Sequence, residues 1–315
     1  MIVTLTANPS VDRTLEIPSL GRGEVIRATA ARVHPGGKGV NVARALVANG
    51  IPARAVLPAG GREGEQLLDL LSSRGVEVVP VPIAESVREN VTVVEPDGTV
   101  TKLNAPGPQL APSEAERLIQ VTVDASGGAD WVALCGTLPP GAPEDLYGTL
   151  VTELHLIGVR VAVDTSGTAL VKAIEAGPDL IKPNREELAE AIADPIQDLG
   201  DVVNGARKLL DQGVGHVLVS LGREGVVSVS DSAVLRAWTV PVVPRSTVGA
   251  GDATLAGFLA TRDVQQALRT AVAWGAAAVK LPGTGMPGPA DIDLDEVTIE
   301  DLDAARALDT GRGIE

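Results

Sequence analysis

Cysteine is nearly absent from this 315-residue chain, and the single residue, Cys135, excludes an internal disulfide and the multi-cysteine zinc patterns. Three histidines, at 34, 155 and 216, stand too far apart to form a helix-spaced metal pair. Aromatic residues make up only 2% of the chain, so its core must be built from Val, Leu, Ile and Ala rather than large rings. No apolar run reaches membrane-spanning length, and "MIVTLTANPS" has neither the basic start nor the long apolar middle of a secretory signal. The expected setting is the reducing cytoplasm, where the sequon at Asn90 has no meaning. Positive charge is also short. A formal net charge of -15 disfavours nucleic acid and anionic membrane as partners, and an anionic ligand would need a local cluster of Lys, Arg and backbone N–H groups.

What the chain does have is rhythm. Apolar runs of strand length alternate with amphipathic stretches of helix length: "IVTLT" then "VNVARALVANG", "WVALC" then "EDLYGTLVTELHLIG", "VRVAVD" then "ALVKAIEAG", with "HVLVSL" further on. This alternation predicts βαβ units and a largely parallel sheet with helices on both faces. Gly50, Gly75, Gly158, Gly177 and Gly213 sit where left-handed helix ends are expected, and Ser113 with Glu116, after Pro112, has the spacing of a capping box. Residues 11–35 and 87–104 break the rhythm with β-branched alternation, and "VTVVEPDGTVTKLN" reads as a hairpin. Together they predict a small sheet standing off the main body as a cover for a crevice. The stretch 282–298 reads as a Pro/Gly/Asp-rich loop.

Several short stretches carry chemistry. In "STVGAGDATLAGFLA", a helix is predicted to begin near Ala250 to Asp252, so free amides and the positive dipole end point outward. Asp252 then suits a general base facing a hydroxyl nucleophile, with the amides of Gly249, Ala250 and Gly251 holding charge on a transferring phosphoryl group. The same spacing also suits an Asp favoured merely by the helix dipole. "PGGKGVNVARAL" brings Gly36, Gly37, Lys38 and Asn41 to another helix start, either as a polar ligand site or as a glycine turn with a solvated lysine; it lacks Walker spacing. Asp12 follows the first strand, at the edge where open α/β sheets bind ligands, although an Asp there also suits a turn. In "IKPNREEL", Asn184 and Glu187 have capping spacing, and Glu187 could also hold a magnesium-bound water. Ser220, Gly222 and Gly225 in "VSLGREG" either line a nucleotide phosphate or only turn the chain. "GTGMPG" at 283–288 matches the dinucleotide glycine pattern, but Pro287 and Pro289 deny it the required helix.

The ordered set "NPSVD", "GGKGVN", "CGTLPPG", "KPN", "VSLG" and "TVGAGDATLAGF" spans almost the whole chain, and it resembles the PfkB, or ribokinase-like, family of carbohydrate kinases. The resemblance implies one kinase domain over 1–315: a three-layer α/β sandwich with a central, mostly parallel sheet and a β lid inserted at about 11–35 and 87–104. It implies ATP and Mg²⁺, with Asp252 as base and residues 249–251 as anion hole. By the same resemblance Asp12, Gly37 and Asn41 meet sugar hydroxyls, Lys38, Arg88 and Thr137 surround a phosphate on the sugar, and Thr247, Ser220, Gly222 and Gly225 face ATP. Asn184 and Glu187 belong to its magnesium environment.

Within the family, "TLTANPSVDRTLEI", "RGEVIRA", "PGGKGVNVARAL" and "LNAPGP" are most similar to the bacterial 1-phosphofructokinases, which implies phosphorylation of D-fructose 1-phosphate at the 6-hydroxyl. Two departures matter: "GTLPPG" replaces the usual "GSLPPG" at Thr137, and "GGKG" also occurs in kinases of unphosphorylated sugars. The alternatives are a 6-phosphofructokinase, a tagatose-6-phosphate kinase and, from another class, a sugar-phosphate sensor without catalysis. A nicotinamide oxidoreductase is set aside because "TANPSVD" stands where its glycine fingerprint would be. The resemblance further implies a homodimer joined through the lid sheets.

Overall fold

The structure is a computed structural model, and it describes residues 1–303. The chain opens with β1 (Ile2–Thr6), β2 (Ser10–Glu16), β3 (Ala30–Gly36), α1 (Lys38–Ala48), β4 (Ala53–Ala59), α2 (Gly61–Ser72) and β5 (Glu77–Pro82). There follow β6 (Arg88–Val94), β7 (Val100–Leu103), α3 (Pro112–Ala125), β8 (Trp131–Cys135), α4 (Leu146–Leu156), β9 (Arg160–Asp164) and α5 (Gly167–Glu175). The remainder comprises β10 (Leu180–Ile181), α6 (Arg185–Ile192), α7 (Leu199–Leu210), β11 (His216–Ser220), β12 (Val226–Ser230), β13 (Val234–Thr239), α8 (Ala250–Leu259), α9 (Val264–Lys280) and β14 (Val297–Asp301).

Among the described residues the main sheet has ten strands in the order β14-β13-β12-β11-β10-β9-β8-β1-β4-β5. From β11 to β5 every pairing is parallel, and β12, β13 and β14 extend that edge antiparallel. Successive residues along the strands enter opposite cores: Val132 and Leu134 pack with helices α3 to α7, while Ala133 and Cys135 pack on the side of α1, α2, α8 and α9. This is the expected three-layer sandwich. The strand order reverses at β1, with β4 and β5 laid down on one side and β8 onward on the other, so a crevice opens beyond the carboxyl ends of β1 and β8.

The second sheet has the order β3-β2-β6-β7 and spans the segments that broke the helical rhythm. Its central pair, β2 with β6, is parallel, and both outer pairs are antiparallel. The predicted hairpin turn falls between β6 and β7. All five predicted helix-end glycines have φ between 66° and 103°. Two expectations are corrected. The cap of α3 is not Ser113 with Glu116: Pro112 takes the first helical position, where its missing N–H costs nothing, and Glu114 accepts from the Ala111 amide. The 282–298 loop ends earlier than expected, because β14 begins at Val297 and pairs with β13.

Candidate active site

The α8 helix is apolar all round and buried from Asp252 to Leu259, as a helix enclosed on all sides requires. Gly257 allows it to lie directly on the α9 backbone, since a Cβ there would meet Thr270 and Ala271 at 2.8–2.9 Å. Its N-cap, Gly249, has φ 82°, a left-handed conformation that L side chains rarely adopt. The first amides of α8 have no acceptor within the helix and open onto a cleft of about 1230 Å³.

The floor of that cleft comes from the carboxyl edge of the main sheet. Asn8 follows β1, Gly136 and Thr137 follow β8, Asp164 ends β9, Lys182 follows β10 and Ser220 ends β11. Its roof is one face of the small sheet, where Ser10, Asp12 and Thr14 alternate along β2 beside Asn90 and Thr92 of β6. Asp12 accepts from Ser10 Oγ at 2.7 Å and from Asn90 Nδ2 at 3.0 Å, which fixes its carboxylate.

Asp252 lies at the bottom with 7% exposure. Burial, reinforced by the negative charge of Asp164, pushes its carboxyl up to about 6, against the opposing pull of the Asn41 hydrogen bond and of Lys38 and Lys182. Asn41 Nδ2 donates to Asp252 Oδ2 at 2.8 Å. A carboxylate that is ionised at neutral pH yet has a pKa near 6 suits proton abstraction from an alcohol.

Asp164 is completely enclosed and holds two ammonium groups, Lys38 Nζ at 2.8 Å from Oδ1 and Lys182 Nζ at 3.1 Å from Oδ2. Burial alone would raise its pKa, but Lys182 and Lys38 outweigh that and keep it below the ordinary carboxylate range. Lys38 responds in the opposite sense: burial would lower it, yet Asp164, Glu187 and Asp252 together raise it. Lys38 is thus paired with Asp164, with Glu187 Oε1 3.8 Å away, while its side chain stays 36% exposed to the cleft.

Asn184 caps α6 through Oδ1, which accepts from the Glu187 amide at 2.8 Å, and Glu187 Oε2 returns the bond to the Asn184 amide at 2.9 Å. A β-bridge joins Asn184 to Ser220. Arg88 donates to Ala105 O at 2.9 Å and Asn8 O at 3.0 Å, and burial lowers its pKa.

Of the residues expected from sequence, the cleft gathers Asp12, Gly37, Lys38, Asn41, Arg88, Thr137, Asn184, Glu187, Ser220, Gly249, Gly251 and Asp252. Gly36, Gly222, Gly225, Thr247 and Ala250 do not line it. Gly36 lies behind it, where any Cβ would run into the Asp12 carboxylate, and Gly225 packs so tightly that a Cβ would strike the Ala237 carbonyl. Sequence reasoning missed Asp164 and Lys182. The available signal was an acid ending the apolar run "VRVAVD" and a lysine ending "DLIK", both at the ligand edge of a parallel sheet.

A helix start with open amides, a buried carboxylate and two floor lysines under a polar roof form a cleft chemically suited to phosphoryl transfer. Comparison with known proteins makes this specific: residues 5–291 match the pfkB family of carbohydrate kinases, and the chain belongs to that family. It is 35% identical over 296 residues to the 1-phosphofructokinase of Rhodobacter capsulatus, covering 91% of this chain and 93% of that one. It is 34% identical over 291 residues to the ATP-dependent 6-phosphofructokinase isozyme 2 of Escherichia coli K12, covering 90% and 94%. Among solved structures, phosphofructokinase-2 from Escherichia coli in complex with potassium superposes with a TM-score of 0.88 at 32% identity, covering 92% of this chain and 96% of that one. The fold is thus ribokinase-like. No described helix is long and apolar enough to cross a membrane.

Proposed function

We propose that the protein transfers the terminal phosphoryl group of ATP to the 6-hydroxyl of D-fructose 1-phosphate, releasing ADP and fructose 1,6-bisphosphate. The observation that carries phosphoryl transfer to an alcohol is Asp252, a buried carboxylate beside the open amides of α8, and the choice of sugar rests on the similarity to the Rhodobacter capsulatus 1-phosphofructokinase. Asp252 takes the hydroxyl proton, and the alcohol oxygen forms the new bond to phosphorus as the bond to the leaving ADP oxygen breaks. The amides of Gly249, Ala250 and Gly251 face the charge on the migrating group, and the floor lysines lie where further negative charge gathers. Asp12 and Asn41 meet sugar hydroxyls, and Arg88, Lys38 and Thr137 bind the phosphate already on the sugar. Asn184 and Ser220, joined by their bridge, face the nucleotide.

No three His, Cys, Asp or Glu residues converge among the described residues, so the donor set fits Mg²⁺ held chiefly by phosphates and water, with Glu187 as the outer contact. Bound there, Mg²⁺ would neutralise charge on the phosphate oxygens.

The roof excludes water from the reacting groups by closing over the sugar. A second copy of the chain joins through this sheet, whose edge strand β7 leaves Leu103 62% exposed and whose β2–β3 connection leaves Val25 89% exposed. A monomer mass in sedimentation would remove the dimer.

A 6-phosphofructokinase is the second reading, favoured by the similarity to Escherichia coli isozyme 2, which is within one percentage point of the first relative. Coupled ADP release on fructose 1-phosphate, fructose 6-phosphate, tagatose 6-phosphate and free fructose decides between them. The highest kcat/KM is expected for fructose 1-phosphate. A preference for fructose 6-phosphate would install the second reading, and no turnover with any sugar would leave a sensor.

A further inference from the structure

The side chain that holds Asp252 is itself held. Arg44, on α1 and 8% exposed, donates from Nη1 to Asn41 Oδ1 at 2.9 Å and from Nη2 to Thr284 O at 3.0 Å. A third, longer contact runs from Nη1 to Pro35 O at 3.5 Å. At the C-cap of the same helix, Asn49 Nδ2 donates to Pro287 O at 2.9 Å, and Met286 stands between these anchors with Cε beside Gly249. The "GTGMPG" stretch, unfit for a dinucleotide, thus serves as a strap: its carbonyls receive Arg44 and Asn49, and its methionine backs the start of α8.

A guanidinium has donors and no acceptor, so Arg44 can face only the oxygen of the Asn41 amide. The amide nitrogen is then turned to Asp252, where it can only donate. We propose that Arg44 is a positioning residue for the base: by fixing the sense of the Asn41 amide it ties down Asp252 Oδ2 and leaves Oδ1 for the incoming alcohol. This rests on the reading of Asp252 as the base and deepens it. Were the amide reversed, its oxygen would oppose the carboxylate and disfavour ionisation.

Burial, aided by Arg74, lowers Arg44 to about 10, so it remains charged at neutral pH. Asp252 is faced by Lys38 from α1, Asp164 from β9, Lys182 beyond β10 and the buried thiol of Cys135 on β8. Arg44 is faced by Asp12 on β2, His34 on β3, Arg74 beyond α2 and Asp252 itself at the start of α8. Replacing Arg44 by Met also removes its own charge from beside Asp252, which the lysine variant retains.

The test compares Arg44→Met and Arg44→Lys with wild type through the pH dependence of kcat/KM for the sugar phosphate, the nucleotide KM and thermal unfolding. Arg44→Met is expected to lower kcat by about ten- to a hundredfold and to move the acid limb up by about one pH unit, with nucleotide KM within about twofold. Arg44→Lys keeps the charge without the fork and should fall between the two, which separates amide orientation from simple charge. Wild-type kcat and limb position in both variants would overturn the proposal. If Arg44→Met does not fold, the lysine variant decides alone by the same criterion. A parallel Asp252→Asn enzyme keeps the two readings apart. Near-normal turnover there removes the base itself, whereas its loss alongside unaltered Arg44 variants removes only the positioning role.

Discussion

Replacing Asp252 by Asn should stabilise the protein at neutral pH while disabling it. The carboxyl goes from an ordinary 3.8 to about 6 on folding, chiefly because it is buried and secondly because Asp164 is near. Below 3.8 both states are protonated and burial of the group is free of this penalty. Between 3.8 and 6 the unfolded chain ionises while the folded one keeps its proton, so stability falls as pH rises, by about 1.36 kcal/mol per pH unit. Above 6 the deficit is constant at about 3 kcal/mol, the product of that slope and the interval from 3.8 to about 6. Asn carries no such deficit and can accept from Asn41 through its own oxygen. Urea unfolding of both proteins at pH 4.5 and 7.5 measures the difference. The Asn variant should gain about 2 kcal/mol relative to wild type between the two conditions, since about a third of the deficit has already developed at pH 4.5. A stability difference that is the same at both pH values would refute an uphill ionisation at position 252.

Asp164→Asn leaves the Lys38 and Lys182 ammoniums without their shared counter-charge and should cost about 3–5 kcal/mol in denaturant unfolding. It also removes a negative neighbour from Asp252 while freeing two positive ones, so the acid limb of kcat/KM should move to lower pH; an upward move would contradict the charge balance. Gly249→Ala forces a side chain to φ 82° and puts Cβ 2.7 Å from Met286 Cε, so a loss of about 1–2 kcal/mol with a reduced kcat is expected. Unchanged stability and turnover would show that the α8 start tolerates displacement. Lys38→Ala and Arg88→Ala should raise KM for the sugar phosphate more than they lower kcat, and an unchanged KM would take them out of the phosphate pocket.

Local chemistry is what the sequence displays. The α8 start, the Asn184 cap with Glu187 and the left-handed glycines depend on neighbours within a few residues, and their spacing is visible directly. The small sheet was legible because its segments alternate with period two in a chain otherwise written in helices and buried strands. The α3 cap was misplaced because Pro112 can stand before a helix or in its first turn, and Ser113 offered a competing cap. The antiparallel edge ending in β14 was hidden in a stretch rich in turn formers. The central ion cluster was illegible for a different reason. Asp164 and Lys38 meet across 126 positions, and each looks ordinary alone, an acid closing an apolar strand and a lysine in a glycine turn. Arg44 was hidden likewise, since a basic residue in "NVARAL" reads as solvated until the strap at 282–288 is folded over it.

The most direct measurement is steady-state turnover of fructose 1-phosphate by Asp252→Asn, with ATP affinity measured on the same protein. The account predicts a kcat lower by about a thousandfold or more and a nucleotide affinity close to wild type, because only the proton acceptor has gone. Turnover within about tenfold of wild type would contradict it, since a group contributing that little is not the general base.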